Sequence, residues 1–230
     1  MFGQDEGDKE QGVFDRTTIE DGSTELSGGN YNLVMGLVLC YGFLINWLMV
    51  KFVPVASIVA SMGMLIFILA YFGMCFLGIY LFKKSSNPAV SFLGYNLVVV
   101  PFGFIINLVV MRYDPALVVE AMKITGLVTA TMMVLGTLFP NFFKKIAPAL
   151  TISLLLVIIW ELVDVFIFKT FHGIIDWIVV LIFCGYIGYD WGRANQIPKT
   201  LDNAIDSAAA LYMDIINLFL RILRILGRRR

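Results

Sequence analysis

Tyr186-Ile187-Gly188-Tyr189-Asp190 and Leu211-Tyr212-Met213-Asp214-Ile215-Ile216 each place one aspartate inside an apolar stretch near the end of the chain. An ionisable side chain in a membrane is energetically costly and by default marks an ion path, a proton relay or a gate. The two aspartates are 24 residues apart, with a polar turn at 192–199 between them. A helical hairpin that reverses near 198–202 would bring both carboxyl groups to a similar depth.

Composition indicates that the chain surrounding this hairpin is a polytopic membrane protein. Of its 230 residues 59% are hydrophobic, whereas soluble domains are about 45–50% apolar. A spanning helix needs roughly 20 apolar residues. Four charge-free stretches predict four such helices: 26–50, 52–82, 85–111 and 124–143. Three further spans are predicted at 147–168, 173–190 and 202–226. The stretch 52–82 exceeds one upright span, so its helix should be tilted, kinked or extended.

The seventh segment differs from the other six in polarity. It contains Ala208-Ala209-Ala210, whose small side chains let helices approach closely. A moderately polar helix is costly to expose to lipid. We therefore predict an all-α membrane protein of seven transmembrane helices, in which six wrap around a central C-terminal helix. Its polar face follows the order Asp206, Ala210, Asp214, Asn217, Arg221.

The two ends of the chain carry opposite charge. Residues 1–30 hold eight acidic and two basic side chains, which predicts a disordered cytoplasmic tail ahead of a membrane domain at 31–230. Loops on the N-terminal side carry most of the Lys and Arg, so the N-terminus should be cytoplasmic. Seven crossings would put the five arginines of 221–230 outside, against this rule. The last segment therefore either spans despite them or is re-entrant.

Two adjacent carboxylates in a low-dielectric interior cannot both be charged without a large energetic cost, so Asp190 and Asp214 would share a proton. When ionised, the same pair offers oxygen ligands suited to transient Ca²⁺ binding. The alternative is that Asp190 is hydrated at the headgroups. Asp214 would then lie on the wet face of an interfacial helix.

Four other polar side chains are candidates for an ion path with this pair: Glu161, Asp164, Asp206 and Asn217. Glu161 and Asp164 are one helical turn apart and share a face of the fifth span. The competing interpretation places both in water at the outer end of that span, partnered by Lys169.

The block Gly188-Tyr189-Asp190, with residues 210–219 (Ala-Leu-Tyr-Met-Asp-Ile-Ile-Asn-Leu-Phe), resembles the transmembrane Bax inhibitor motif (Bax inhibitor-1) family, bacterial branch. The resemblance covers 31–226. It implies a fold with two three-helix layers around a central last helix, in a bacterial cell membrane. It also implies a pH-sensitive Ca²⁺ leak gated by Asp190 and Asp214. Family members have a basic latch at the end of the second helix, where this chain has Lys83 and Lys84. The alternative for these lysines is ordinary positive-inside charge.

Two other function classes compete with the leak. Intramembrane aspartyl proteases also place one aspartate on each of two helices, but they require Gly-x-Gly-Asp where this chain has Leu211-Tyr212-Met213-Asp214. A non-conducting regulator would bind another membrane protein and use the aspartates only to fix its fold. We expect a protein that is not an enzyme and has no cofactor. Its expected partners are the lipid bilayer and Ca²⁺ as the permeating ion, with no nucleic acid.

Overall fold

The computed structural model describes residues 25–164, 167 and 173–228. This part of the chain is helical without strands, as predicted. Its eight helices are α1 (Gly28–Phe52), α2 (Val55–Met62), α3 (Met64–Lys84), α4 (Pro88–Val110), α5 (Pro115–Leu138), α6 (Pro140–Val163), α7 (Gly173–Ala194) and α8 (Leu201–Gly227). The predicted tail falls mainly on 1–24, which lies outside the described residues, as does Lys169. Helix α1 begins three residues before the predicted domain boundary at 31.

Local sequence sets where several helices begin. Pro88, Pro115 and Pro140 occupy first-turn positions, where the missing N–H of proline leaves no intrahelical bond unmade. The preceding Asn87 and Asp114 accept hydrogen bonds from the backbone N–H of the first turn, at 2.9 and 2.7 Å. These caps satisfy backbone donors that lipid could not.

Three predicted spans have different bounds in the structure. The stretch 52–82 is divided at Gly63, whose φ of 83° separates α2 from α3. The prediction of 124–143 was wrong in register, because Asp114 and Pro115 start α5 earlier and Pro140 starts the next helix. The prediction of a span at 147–168 was also wrong in register, because Pro140 starts α6 earlier and this helix ends at Val163. Glu120 and Lys123, whose charges kept the predicted span from starting before residue 124, are exposed in the first turns of α5.

Within the described residues, six helices are long and apolar enough to cross a membrane: α1, α3, α4, α5, α6 and α7. The chain is therefore a multi-pass integral membrane protein. Helix α6 has Phe143 as its one buried residue. Its remaining surface is dominated by exposed apolar side chains, which suits contact with lipid tails.

Helix α8 has the opposite character, since 19 of its 27 residues are buried. It packs against α1, α4, α5 and α7. Ala208 and Ala209 are fully buried, and the neighbouring Leu211 and Tyr212 are buried with them. Because lipid tails are as apolar as leucine, helix contacts in a membrane depend on close packing and polar bonds, and small residues allow that approach.

Glycines bring α7 against α5 at the level of the aspartate motif. A Cβ on Gly192 would lie 2.8 Å from the carbonyl oxygen of Gly136, and one on Gly136 would collide with the Gly188 backbone. A Cβ on Gly188 would enter the ring of Phe143. The backbone just before Asp190 is thus fixed by contacts that admit no side chain.

Gly136→Ala should lower the free energy of unfolding by about 1–3 kcal/mol, the usual range for inserting a methyl group into a packed site. The measurement is the thermal unfolding midpoint in detergent. Gly126→Ala is the matched control on the same helix, because a Cβ there meets nothing within 4 Å. Equal midpoints for the two variants would contradict the close approach of α5 and α7.

Candidate functional site

The turn between α7 and α8 is closed by its own side chains and by the start of α1. Thr200 caps α8 by accepting a hydrogen bond from the N–H of Asn203 at 3.2 Å. The Asn203 side chain donates to the Pro198 carbonyl at 2.8 Å. The N–H of Leu26 donates to the Lys199 carbonyl at 2.7 Å. These bonds fix the register in which α7 and α8 run back along each other.

The hairpin brings Asp190 and Asp214 into direct contact. Their side chains are hydrogen-bonded to each other, and they are only 8% and 7% exposed. A hydrogen bond between two carboxyl groups requires one proton between them, because an ionised carboxylate can only accept. Both side chains lie inside the packed helices, which contradicts the alternative of a hydrated Asp190 at the headgroups and an Asp214 on the wet face of an interfacial helix.

One oxygen of this pair has no partner in the described part of the chain. Asp214 Oδ2 is buried without a hydrogen bond. A buried oxygen that carries negative charge and lacks a donor is energetically unfavourable. The arrangement therefore suits a protonated pair, and it leaves an oxygen lone pair available to a water molecule or a cation.

Positive charge reaches the pair from two directions. The charges of Arg193, in the last turn of α7, and Lys83, at the end of α3, both act on the Asp190 carboxylate. Lys84 instead has its Nζ 5.5 Å from the centre of the Tyr80 ring.

Tyr212 anchors the opposite face of α8. Asn46 of α1 donates a hydrogen bond to the Tyr212 hydroxyl. Tyr95 of α4 packs edge-on against the Tyr212 ring, with ring centres 5.6 Å apart. Since residues two apart point to nearly opposite sides of a helix, this anchor directs Asp214 away from α1 and α4. Within the motif Tyr212-Met213-Asp214, Tyr212 thus holds α8 in place and Asp214 supplies the carboxyl group.

The four candidate ion-path residues have contacts of their own. Glu161 binds Arg221, and Asp164 accepts a hydrogen bond from the Trp160 indole at 3.0 Å. Asp206 is 1% exposed and lies near Tyr31 of α1. Asn217 donates to the Met213 carbonyl of its own helix at 2.8 Å. Glu161, Asp164 and Asp206 thus have partners outside the aspartate pair, whereas Asn217 lies one helical turn from Asp214 on α8.

Sequence reasoning missed a second buried polar cluster at the start of α8. Ser91 of α4 donates to Asp202 at 2.7 Å. The Tyr31 hydroxyl of α1 lies 3.0 Å from the Ser207 hydroxyl and donates to the Asn203 carbonyl at 3.2 Å. The signal available was the polar first turn of an otherwise buried helix, which must find partners on its neighbours.

Sequence reasoning also missed the partners of the C-terminal arginines. Arg221 contacts both Glu161 of α6 and Asp176 of α7. Asp176 lies in the first turn of α7 and is 2% exposed. The available signal was charge complementarity: two acids near the ends of two predicted spans faced the arginines that follow Asp214.

The described residues contain no group of three His, Cys, Asp or Glu side chains that could hold a metal ion. Ca²⁺ takes six to eight oxygen ligands in a stable site, and two carboxyl groups supply at most four oxygens. Asp190 and Asp214 therefore suit a passing cation better than a resident one.

Comparison with known proteins adds an independent line of observation. A family model described as "Inhibitor of apoptosis-promoting Bax1" matches residues 29–230. An uncharacterized protein of Borreliella burgdorferi is 31% identical over 181 residues, covering 74% of this chain and 77% of the relative. An uncharacterized protein of Helicobacter pylori strain J99 is 28% identical over 165 residues, covering 70% and 68%. A BI1-like protein of Arabidopsis thaliana is 39% identical over 87 residues, covering 36% and 33%.

The family model includes every helix that forms the hairpin and its surroundings, from the first turn of α1 onward. The chain belongs to the Bax inhibitor (Bax1-I) family of membrane proteins.

Proposed function

We propose that this protein is a pH-sensitive Ca²⁺ leak in which Asp190 and Asp214 form a proton-sharing gate. The observation that supports it best is the hydrogen-bonded contact between two buried carboxyl groups on antiparallel helices. With the proton in place, the pair joins α7 to α8. When the proton leaves, two like charges face each other in a low-dielectric site and the helices are driven apart. The same ionised oxygens then attract Ca²⁺.

The proposal includes α8 as a seventh membrane span, enclosed by the other six. Its 27 residues extend about 40 Å at 1.5 Å per residue, whereas the hydrocarbon core is about 30 Å thick. Its many buried residues and its contacts with four helices support this position. In this arrangement the N-terminus is cytoplasmic, the protein lies in a cell membrane, and it has no enzymatic activity or cofactor.

The packing of the residues before Asp214 argues against the intramembrane aspartyl protease alternative. Leu211 and Met213 stand where an aspartyl protease needs its two glycines; Leu211 is fully buried and Met213 is partly buried against the core. No peptide backbone can approach Asp214 past these side chains. This packing supports a gate over a peptidase.

The gate is tested by Ca²⁺ influx into proteoliposomes from about pH 5 to pH 8. Control by one shared proton predicts a flux that changes by up to about tenfold per pH unit on one side of its midpoint. In Asp190→Asn/Asp214→Asn, which keeps shape but cannot ionise, the pH dependence should be lost. Asp164→Asn is the matched control, because it neutralises a buried acid outside the pair.

Flux no greater than that of empty liposomes, from wild-type protein with an intact unfolding transition, would contradict the leak. The non-conducting regulator would then be the remaining interpretation. A folded double variant that still binds the same membrane partner as the wild type would support it.

Lys83 is proposed as the latch that tunes this gate. Because its charge acts on Asp190, removing it makes the protonated pair easier to form, and the midpoint of the flux profile should move to higher pH in Lys83→Gln. Lys84→Gln removes the same charge one residue away, where the ammonium faces Tyr80, and should leave the midpoint in place. Equal shifts in the two variants would indicate only a general surface charge.

A further inference from the structure

Five charged side chains meet at the end of the bundle opposite the α7–α8 turn: Glu161 of α6, Asp176 of α7, Arg221 and Arg224 of α8, and Arg228, which follows the last residue of α8. Arg221 is central to this cluster. Its Nη1 contacts Glu161 Oε1, and its Nη2 donates to Oε2 at 2.8 Å. The same Nη1 donates to Asp176 Oδ1 at 3.0 Å. One guanidinium thus joins α8 to both α6 and α7.

The second acid is enclosed by arginines. Asp176 is 2% exposed, and its Oδ1 also accepts from Arg224 Nη1 at 3.3 Å. Its Oδ2 lies 2.9 Å from Arg228 Nη1. Three guanidinium groups therefore surround the Glu161 and Asp176 carboxylates, and the charge of Asp164 also acts on Glu161.

The cluster lies on the same line along α8 as the aspartate pair. Arg221 follows Asp214 by seven residues, almost two full turns, so both side chains project from one face about 10.5 Å apart. That face is turned to α7 at both levels, since Asp214 meets Asp190 and Arg221 meets Asp176. Along α8, Arg221 is the next charged side chain after Asp214.

We propose that Arg221 is a second gate residue of the leak, closed while Glu161 and Asp176 hold its guanidinium. This proposal rests on the proposed function. The forked contact with Glu161 fixes the planar group in one orientation, and the guanidinium charge held there opposes a cation. Arg221 is only 17% exposed. Once released from Glu161, the long Arg221 side chain can turn its guanidinium toward water and leave the interface between α7 and α8 open.

The first test measures how readily a thiol reagent reaches the interface between α7 and α8, and it needs no ion flux. Asn217 lies between the two gates on α8, so Asn217→Cys is introduced into a variant whose three native cysteines are replaced by serine. A membrane-impermeant thiol reagent is added from the C-terminal side. Adding Glu161→Gln should speed labelling at least about tenfold, which corresponds to about 1.4 kcal/mol in the gate equilibrium. Adding Asp176→Asn should have the same effect.

Glu120→Gln is the matched control, because it removes one exposed acid from the first turns of α5 at the same end of the bundle. Its labelling rate should equal that of Asn217→Cys alone. Asp176 is buried, so its replacement can disturb folding. Glu161 is 32% exposed, and Glu161→Gln therefore carries the test by itself.

Equal labelling rates in Glu161→Gln and Glu120→Gln would overturn the second gate. A change in which side of the membrane the C-terminus occupies, read by a C-terminal reporter, would also overturn it and assign the cluster to helix insertion. Ca²⁺ flux from the same proteins, with Asn217 intact, should rise at least about tenfold in Glu161→Gln. If no protein conducts, including the wild type, the leak itself fails, while the labelling rates still decide whether Arg221 closes this end.

Discussion

The burial of charge on α8 is the constraint on which the rest of the structure depends. This helix carries Asp202, Asp206 and Asp214 as buried side chains, and a hydrocarbon environment offers no partner for any of them. Each must be satisfied by the surrounding helices. Ser91 of α4 donates a hydrogen bond to Asp202, and Asp190 of α7 is hydrogen-bonded to Asp214. The arrangement of helices around α8 follows from these requirements as much as from apolar packing.

Close approach makes these polar contacts possible. Alanines on α8 and glycines on α5 and α7 remove the side chains that would hold the helices apart. Tyr212 then fixes the rotation of α8 through Asn46 and Tyr95. A helix held on one face by aromatic packing and on the other by a titratable pair can respond to a proton at one side without losing its position at the other.

The arginines at the end of α8 bear on a conflict that charge counting leaves open. Loop charges favour a cytoplasmic location for five C-terminal arginines, yet a seventh crossing would place them outside. The structure pairs Arg221, Arg224 and Arg228 with Glu161 and Asp176. Paired in this way, three of these charges are largely compensated within the fold. This compensation lowers the cost that the proposed seventh crossing would otherwise carry.

Much of this could be predicted from sequence, and the failures have physical causes. Hydropathy located the apolar helices, and the 24-residue spacing of Asp190 and Asp214 predicted their contact because a hairpin has few ways to close. Charge-free runs misplaced α5, since Glu120 and Lys123 lie within a helix whose start is set by Asp114 and Pro115. The partners of Arg221 could not be predicted, because the pairing depends on how α6 and α7 rotate against α8. That rotation is set by glycine contacts across three helices, which no local pattern encodes.

The central claim is that Asp190 and Asp214 hold one proton between them. Infrared difference spectroscopy of the carboxyl C=O stretch, across a pH titration of the membrane-embedded protein, tests it most directly. A shared proton predicts one band that disappears in both Asp190→Asn and Asp214→Asn and persists in Asp164→Asn. Two bands that titrate separately, each lost in only one of the single variants, would contradict the account.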